Sequence, residues 1–177
     1  EDIKIKGKFD VGISNAISIS NDSQLKEALK TDNRQLAIEA LATLSKNMKE
    51  STPFKNIKVH IHTKDSHSFL RSWKPNKYGD DLNSFRHSVV KVNKTKKAVN
   101  TFEVGKAGLS IRAVVPVFSR DGEHLGSLEF MQGINSVAKS FNKKGDGFLL
   151  LMDSSLAVVD IPQNKKLQNY VISQKFV

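Results

Sequence analysis

Histidines, arginines and one glutamate are the residues of this chain whose types and spacing could recognise another molecule. His60 and His62 are separated by one residue, so a strand would place both imidazoles on the same face. Of the 28 basic residues only five are arginines, and three of those, Arg71, Arg86 and Arg112, lie in segments rich in apolar side chains. Arginine presents a rigid fork that holds a carboxylate or phosphate, whereas lysine is a hydrated point charge. We therefore expect these three arginines to face a specific anionic group.

The ligand that these residues favour is a small anion, most simply a carboxylate of a few carbons. A carboxylate can leave water only where charged donors replace its hydration, and a bidentate arginine does this best. Glu129 could hold an ammonium group if the ligand were an amino acid. The predicted ligand-binding residues are His60, His62, Arg71, Trp73, Tyr78, Arg86, Arg112 and Glu129.

The arginines also have purely structural interpretations. Arg71 could be partly exposed and stacked on Trp73, with which it alternates along a strand. Arg112 could pair with Glu129 or Glu103. An interaction module without a ligand would fill its pocket with its own side chains, and it would pair Arg71 and Arg112 with carboxylates of the same chain.

Two further candidates lie close to the loop that follows Trp73. Arg86 could pin this loop through Asp80 or Asp81 instead of facing a ligand. Tyr78, which precedes a glycine, could be a loop anchor or a pocket wall. The sequence does not decide between these roles.

Metal binding and catalysis are both disfavoured. The spacing of His60 and His62 can serve a metal ion, but a third ligand is not evident unless folding brings His67 or Glu129 close. More simply, one histidine lines the pocket and the other bonds within the fold. Nothing in the chain resembles a nucleophile elbow, a phosphate-binding glycine loop or a cofactor fingerprint. We expect no metal, no cofactor and no enzymatic activity.

Composition excludes several other classes of protein. The 177 residues suffice for one domain with a real core, and no apolar run approaches the roughly 18 residues of a spanning helix. The net charge is +10, but the lysines are scattered and not interleaved with aromatic side chains, which argues against nucleic-acid binding. The chain has no cysteine, so disulfides are excluded. It begins at Glu1 without a signal-peptide pattern, and we expect it to be a piece of a longer protein.

Hydrophobic periodicity predicts a long N-terminal helix and then a sheet. Ala37, Leu41, Leu44 and Met48 recur at helical spacing, with a capping-box start at Asp32 after an interruption at 30–31. Beyond Pro53 the period changes to two, and Arg120–Glu123 has the signature of a tight hairpin. Strands are predicted at 58–63, 68–73, 100–104, 109–119, 124–132, 148–152 and 156–160, and helices at 80–93, capped by Asp80-Asp81, and at 134–142.

This order of elements predicts an α+β fold of the PAS type. A long N-terminal helix, at residues 10–50, would pack on one face of a central antiparallel sheet of five or six strands. The opposite face, covered by the 80–93 helix and the 73–80 loop, would hold the pocket.

Several segments together resemble a known family, the extracytoplasmic Cache sensor domain of bacterial methyl-accepting chemotaxis proteins and related transducers. They are Asn15–Ser20, His60–Asp65, Ser68–Trp73, Tyr78–Leu82, Phe85-Arg86, Gly108–Arg112, Pro116 and Gly126–Gln132. The resemblance extends from about Asp10 to Asp153. It implies a periplasmic small-molecule sensor in an inner-membrane receptor, whose output could also be a histidine kinase or a diguanylate cyclase.

The resemblance also implies an organisation and an assembly. Residues 1–52 would form the signalling and dimerisation helix, residues 53–160 the PAS-like sensor module, and residues 161–177 a C-terminal segment that could begin a second module. Receptors of this class act as homodimers through the N-terminal helix. In this chain the predicted dimer stripe is Ile13, Ala16, Ile17 and Ser20, because small residues permit close helix approach.

Overall fold

A five-stranded antiparallel sheet with helices on both faces forms the centre of the molecule. The computed structural model describes residues 2–53, 57–105, 108–143, 145 and 147. The strand order is β2-β1-β5-β4-β3. The strands are β1 (Lys58–Thr63), β2 (Ser68–Arg71), β3 (Val99–Gly105), β4 (Gly108–Phe118) and β5 (His124–Gln132). The helices are α1 (Asp2–Ser20), α2 (Ser23–Lys30), α3 (Arg34–Ser51), α4 (His87–Thr95) and α5 (Asn135–Asn142). This architecture confirms the predicted α+β fold class.

The N-terminal helical region consists of three helices, so the prediction of one long helix over residues 10–50 was wrong. The predicted interruption at 30–31 is confirmed, because α2 ends at Lys30. Asp22 starts α2 by accepting a hydrogen bond from the Leu25 amide at 3.0 Å. Asn33, not Asp32, starts α3, because its side chain accepts from the Leu36 amide at 3.2 Å. Asp32 itself has a φ of 54°, which lies in the left-handed region. Both breaks arise because a polar side chain replaces the helical hydrogen bonds at a new N-terminus.

The sheet agrees closely with the predicted strands. Strands β1 and β5 have the predicted bounds, and β3 and β4 differ from the predictions by a single residue at each end. Strand β2 ends at Arg71 instead of Trp73, because the Lys74 amide donates to the Arg71 carbonyl and the chain turns there. The predicted hairpin is confirmed: the Ser119 amide donates to the Glu123 carbonyl at 2.9 Å, and Gly122 adopts a φ of 83°.

Helix α4 starts later than predicted. The chain forms turns between Leu82 and Arg86, and the helix begins at His87. Asp80 and Asp81 therefore do not cap it, which corrects the prediction. The Asp80 carboxylate is held by an arginine on β2, and Asp81 accepts from the backbone amide and the side chain of Asn83.

The two faces of the sheet bury different kinds of side chain. Helices α1, α2 and α3 cover an apolar face that contains Ile61, Leu70 and Leu128, each almost completely buried. A fully buried aliphatic side chain contributes roughly 1.5–3 kcal/mol, so this face supplies most of the hydrophobic stabilisation. Helix α4 covers the opposite face through a smaller apolar cluster of Leu82, Val89, Val92 and Val114. Beside this cluster, the opposite face carries buried polar side chains, among them His60, Arg112 and Glu129.

The predicted dimer stripe on α1 is largely occupied within the same chain. Ala16 and Ser20 are buried, whereas Ile17 is 49% exposed. Helix α1 packs on β4 and β5. The small residues that would otherwise allow a second helix to approach therefore contact the sheet of the same chain. The stripe as a whole therefore does not form a free surface, although Ile17 remains accessible.

Some predictions fall on residues that the structure does not describe. The strands predicted at 148–152 and 156–160 and the segment 161–177 lie outside the described residues. The helix predicted at 134–142 is observed as α5. Among the helices that are described, none combines the length and apolar character needed to cross a membrane.

Candidate functional site

A row of polar side chains crosses the face of the sheet that α4 covers. The strand register places Arg71 opposite His60, and His60 opposite Glu129. It also pairs His62 with Ser127 on the neighbouring strand. Directly paired residues share a face, and side chains alternate between faces along each strand. The alternation of Val59 and Ile61 with the histidines therefore directs both imidazoles to the polar side.

Glu129 lies at the centre of this polar region and is completely buried. Its Oε1 atom accepts hydrogen bonds from Arg86 Nη2 at 2.5 Å and from Arg112 Nη1 at 2.9 Å. Glu103, on β3, accepts from Arg86 Nε at 2.8 Å and from the amide and hydroxyl of Ser88 at the start of α4. Two guanidiniums and two carboxylates therefore form a buried network whose charges cancel.

This network determines the protonation state of its members. Burial alone would raise the pKa of Glu129, but the positive charges of Arg112 and Arg86 outweigh it and hold this pKa well below its usual value. Burial opposes the charge of Arg86 as well, yet the two glutamates raise its pKa. Glu129 and Arg86 therefore stay ionised at neutral pH. Removal of one partner would leave a buried charge uncompensated, which typically costs about 3–5 kcal/mol.

The two histidines are buried as neutral rings. His60 Nε2 and Ser68 Oγ are 2.8 Å apart, and His62 Nδ1 and Ser127 Oγ are 3.0 Å apart. Burial lowers the pKa of His60 to about 4, although Glu129 partly opposes this effect. Burial also lowers the pKa of His62 well below its usual value, assisted by His60. Neither ring carries a charge at neutral pH.

Among the described residues, the buried side-chain atoms without a hydrogen-bond partner include two at the centre of this region. They are His62 Nε2 and Glu129 Oε2, and both are inaccessible to solvent. The shortest approach between Glu129 Oε2 and His60 Nδ1 is 3.6 Å, which is too long for a hydrogen bond. An unsatisfied buried donor or acceptor costs roughly 1–3 kcal/mol, so these two atoms are candidates for contact with a further group.

Arg71 makes a different kind of ion pair, nearer to the surface. Its two terminal nitrogens donate to both carboxylate oxygens of Asp80, at 2.7 and 2.8 Å, and one of them also donates to the Lys77 carbonyl at 2.8 Å. The hydrogen bonds from Arg71 lower the pKa of Asp80. The Asp80 side chain is 28% exposed. This pair holds the 72–81 loop over the edge of the polar face.

The two aromatic candidates lie at the rim. The Trp73 ring meets the His60 ring edge-on at a centroid distance of 5.9 Å. Tyr78 is 55% exposed and does not line the polar face. Its ring stacks under the guanidinium of Arg34, 3.3 Å from the ring centroid, and Arg34 also donates to the carbonyls of Phe69 and Pro75. Tyr78 is therefore a loop anchor, which was one of its two predicted roles.

The structure brings most of the predicted residues together but changes their partners. His60, His62, Arg86, Arg112 and Glu129 converge, and Arg71 and Trp73 border them. Every arginine among the predicted residues is paired with a carboxylate of the chain itself. This arrangement is the structural interpretation that the sequence left open for Arg71 and Arg112.

Sequence reasoning missed four residues that hold this site in place. Ser68 and Ser127 orient the imidazoles, Asp80 closes the loop, and Arg34 anchors Tyr78. A serine paired with a histidine across two strands leaves no local pattern. For Arg34, the only available signal was that arginine is rare in this chain.

Comparisons with known proteins agree on the type of domain. The family model described as the double sensory domain of two-component sensor kinases (dCache_3) matches residues 10–159. No curated protein matches the chain significantly. The match to the family model confirms the resemblance to Cache sensor domains that the sequence indicated.

Solved structures share the fold at low sequence identity. The E. coli DcuS sensor domain has a TM-score of 0.64 at 11% identity, covering 80% of this chain and 99% of that one. The sensor domain of the V. cholerae histidine kinase DctB has a TM-score of 0.58 at 14% identity, covering 76% and 52%. A domain of a putative sensory box/GGDEF family protein from Vibrio parahaemolyticus has a TM-score of 0.53 at 16% identity, covering 78% and 58%. The chain thus spans little more than half the length of the latter two domains.

Proposed function

The chain belongs to the family of double sensory domains of two-component sensor kinases, and from that premise we propose that it senses a small carboxylate outside the cytoplasm for a transmembrane signal transducer. The observation that supports this proposal is the buried polar region under α4, which combines charged, neutral and unsatisfied groups at one place. Buried polar groups without partners are rare in a purely structural core. The family description favours a histidine kinase as the output, whereas the sequence resemblance favoured a chemotaxis receptor.

Arg71 is the arginine that we assign to the ligand. Arg86 and Arg112 share Glu129 and Glu103, so the charges of these two arginines are already neutralised. Both arginine side chains are also deeply buried. An incoming anion would have to displace a buried glutamate to reach them. At Arg71, by contrast, the carboxylate comes from Asp80 on an accessible loop.

A ligand carboxylate can replace Asp80 without loss of hydrogen bonds. Both groups are planar anions, and the Arg71 fork offers each the same two parallel donors. Asp80 then acts as an internal competitor that keeps the loop closed in the absence of ligand. The loop would open when the ligand takes its place. If the ligand is an amino acid and no other cation occupies this place, the unpartnered Oε2 of Glu129 is the acceptor for its ammonium group.

Strand β5 connects this face to the N-terminal helix. Glu129 points to the polar side, whereas its neighbours Leu128 and Phe130 belong to the core beneath the N-terminal helices. At the end of the same strand, Gln132 Nε2 donates to the Lys8 carbonyl of α1 at 2.7 Å. A shift of β5 on ligand binding would therefore reach α1 directly.

The assembly that we propose is a homodimer through α1, in a protein anchored in the inner membrane. Val11 and Ile17 are exposed large apolar residues on this helix, and they support an interface there. Ala16 and Ser20, which the sequence favoured for this interface, face the sheet of their own chain. The dimer surface would thus use the outward side of α1.

A thermal-shift screen of small carboxylates and amino acids, followed by calorimetric titration of each hit, tests this function. A ligand at a hundredfold excess over its dissociation constant stabilises the fold by about 2.7 kcal/mol. We expect Arg71→Ala to abolish carboxylate binding, Arg71→Lys to restore it in part, and Asp80→Asn to strengthen it by removing the competing charge.

Arg120→Ala is the matched control, because Arg120 is exposed in the β4–β5 turn. It should bind as tightly as the unaltered protein. If no carboxylate stabilises the domain, or if a folded Arg71→Ala protein retains full affinity, the proposed carboxylate-sensing function is wrong.

A further inference from the structure

Three buried side chains under α4 present a set of atoms typical of metal ligands. His60, His62 and Glu129 each place one nitrogen or oxygen within 4.8 Å of the others. All three residues are at most 2% exposed. Two come from alternate positions of β1 and the third from the paired strand β5, so the sheet itself holds them in place.

The hydrogen bonds of these residues define which atoms remain available. His60 uses Nε2 for Ser68, and His62 uses Nδ1 for Ser127. Glu129 uses Oε1 for both arginines. His60 Nδ1, His62 Nε2 and Glu129 Oε2 are left, and the last two have no hydrogen-bond partner.

We propose that His60, His62 and Glu129 bind a divalent transition-metal ion of the zinc class. Two imidazole nitrogens and one carboxylate oxygen suit Zn²⁺, Co²⁺ or Ni²⁺, whereas Ca²⁺ and Mg²⁺ prefer oxygen ligands throughout. Ligand atoms around a tetrahedral zinc ion with bonds of about 2.0–2.1 Å lie about 3.4 Å apart. His60 Nδ1 and Glu129 Oε2, at 3.6 Å, already approach this separation.

The surrounding hydrogen bonds fit the same interpretation. A histidine that binds a metal usually donates its other ring nitrogen to a neighbouring acceptor, which fixes the orientation of the ring. Ser68 and Ser127 are in position to do this for His60 and His62. Arg86 and Arg112 fix the Glu129 carboxylate in an equivalent way.

The charge balance determines what else must bind. The two arginines and two glutamates of the network cancel, so a divalent cation would add uncompensated charge to a buried region. Three protein ligands leave a fourth tetrahedral position open. The ion should therefore enter together with an anion, such as hydroxide or a carboxylate, that occupies this position.

The decisive experiment is titration of chelator-treated protein with ZnCl₂ and CoCl₂. We expect one ion per chain by calorimetry, and visible absorption of Co²⁺ of the intensity typical of tetrahedral coordination. Histidine-ring NMR of the zinc-loaded protein should show coordination through Nδ1 of His60 and through Nε2 of His62. This difference between the two rings is specific to the proposed site, since a surface histidine has no reason to reproduce it.

Matched variants connect the binding to the named residues. His62→Gln should lower zinc affinity by more than about a hundredfold, and Ser127→Ala by about 10–100-fold, because an outer-shell partner is lost. Ser110→Ala is the control for the serine, since its buried hydroxyl has no hydrogen-bond partner. His87→Gln is the control for the histidine, since His87 is exposed at the start of α4. Both controls should bind zinc like the unaltered protein.

The outcomes separate this inference from the proposed carboxylate sensor. Arg71→Ala should retain zinc binding even though it loses the carboxylate, because Arg71 does not contact the proposed ligand atoms. If His62→Gln does not fold, the NMR assignment on the unaltered protein and the Ser127→Ala titration decide the matter. The inference is overturned if zinc does not bind, if it coordinates other ring nitrogens, or if His87→Gln weakens binding as much as Ser127→Ala.

Discussion

The neutral burial of His60 makes the stability of this domain depend on pH. His60 is 2% exposed, and its ring faces His62, Glu129 and, more distantly, the charges of Arg71 and Arg86. In the unfolded chain the same ring can take up a proton in water. Mild acid should therefore favour the unfolded state.

The size of this effect follows from the shift in pKa. The pKa of His60 falls from its ordinary value of 6.5 to about 4 in the folded protein. Because the folded pKa is the lower one, the unfolded state binds more protons between these two values. The stabilisation is thus complete above about pH 6.5 and is lost as pH falls towards 4. One pKa unit corresponds to about 1.4 kcal/mol, so the full loss is roughly 3 kcal/mol, of which about 2 kcal/mol falls between pH 7 and 5.

Urea unfolding of the metal-free protein at about pH 7 and pH 5 measures this loss directly. Carboxylates with lowered pKa values, among them Glu129 and Asp80, lose their contribution to stability only in stronger acid, so they do not interfere in this range. The pKa values of His62 and His124 are lowered too, so both histidines change stability in the same direction as His60 and add to the total.

Comparison with a variant isolates the part that comes from His60. His60→Gln should be less stable at pH 7 but should lose about 2 kcal/mol less than the unaltered protein between pH 7 and 5. His87→Gln, an exposed control, should keep the pH dependence of the unaltered protein. A free energy of unfolding that is the same at both pH values would refute the reasoning, as would an unchanged slope in His60→Gln.

Two further predictions concern the sheet that carries the site, and both are measured by chemical denaturation. Gly126 has a φ of 153°, and a Cβ there would lie 2.1 Å from the His62 carbonyl oxygen. Gly126→Ala should therefore lower the free energy of unfolding by about 3 kcal/mol or more. At Gly122 a Cβ meets no atom of the described residues within 4 Å, so Gly122→Ala should lower the free energy of unfolding by only about 1 kcal/mol, for its left-handed backbone. Equal losses for the two substitutions would contradict the clash at Gly126. Glu129→Gln should cost about 3–5 kcal/mol because two buried guanidiniums lose their shared anion. Asp80→Asn, at a partly exposed pair, should cost no more than about 1 kcal/mol, and a similar loss for the two substitutions would refute the distinction between them.

Local pattern was sufficient to predict most of the sheet. Val59 and Ile61 alternate with the two histidines, and that alternation alone defines β1 and its two faces. The Asp121-Gly122 pair marks the hairpin, since the turn needs the left-handed conformation that glycine adopts freely. In β1 and in the hairpin, the residues that form the sequence pattern are therefore the same residues that determine the backbone conformation.

The helix boundaries were less predictable because capping competes with periodicity. The helical pattern runs through Asn21 and Asp22, yet Asp22 accepts from the Leu25 amide and begins a new helix. Asp80-Asp81 looked like a cap for α4, but the Asp80 carboxylate is used by Arg71, nine residues earlier in the chain. A polar side chain can serve several partners, and tertiary structure selects among them.

The charge of the site could not be predicted for a related reason. Arginines in apolar segments do face specific anions here, as the sequence indicated, but Glu129 is 43 residues from Arg86 and 17 from Arg112. Strand register decides whether a carboxylate of the chain reaches these arginines. A shift of one residue would place Leu128 opposite His60, and the Glu129 side chain would then point to the other face of the sheet. Local composition does not define register, so it could not distinguish an internal carboxylate from a ligand. Once the register is known, the groups left for other molecules are Arg71, which is paired with the partly exposed Asp80, and the unpartnered atoms of His62 and Glu129.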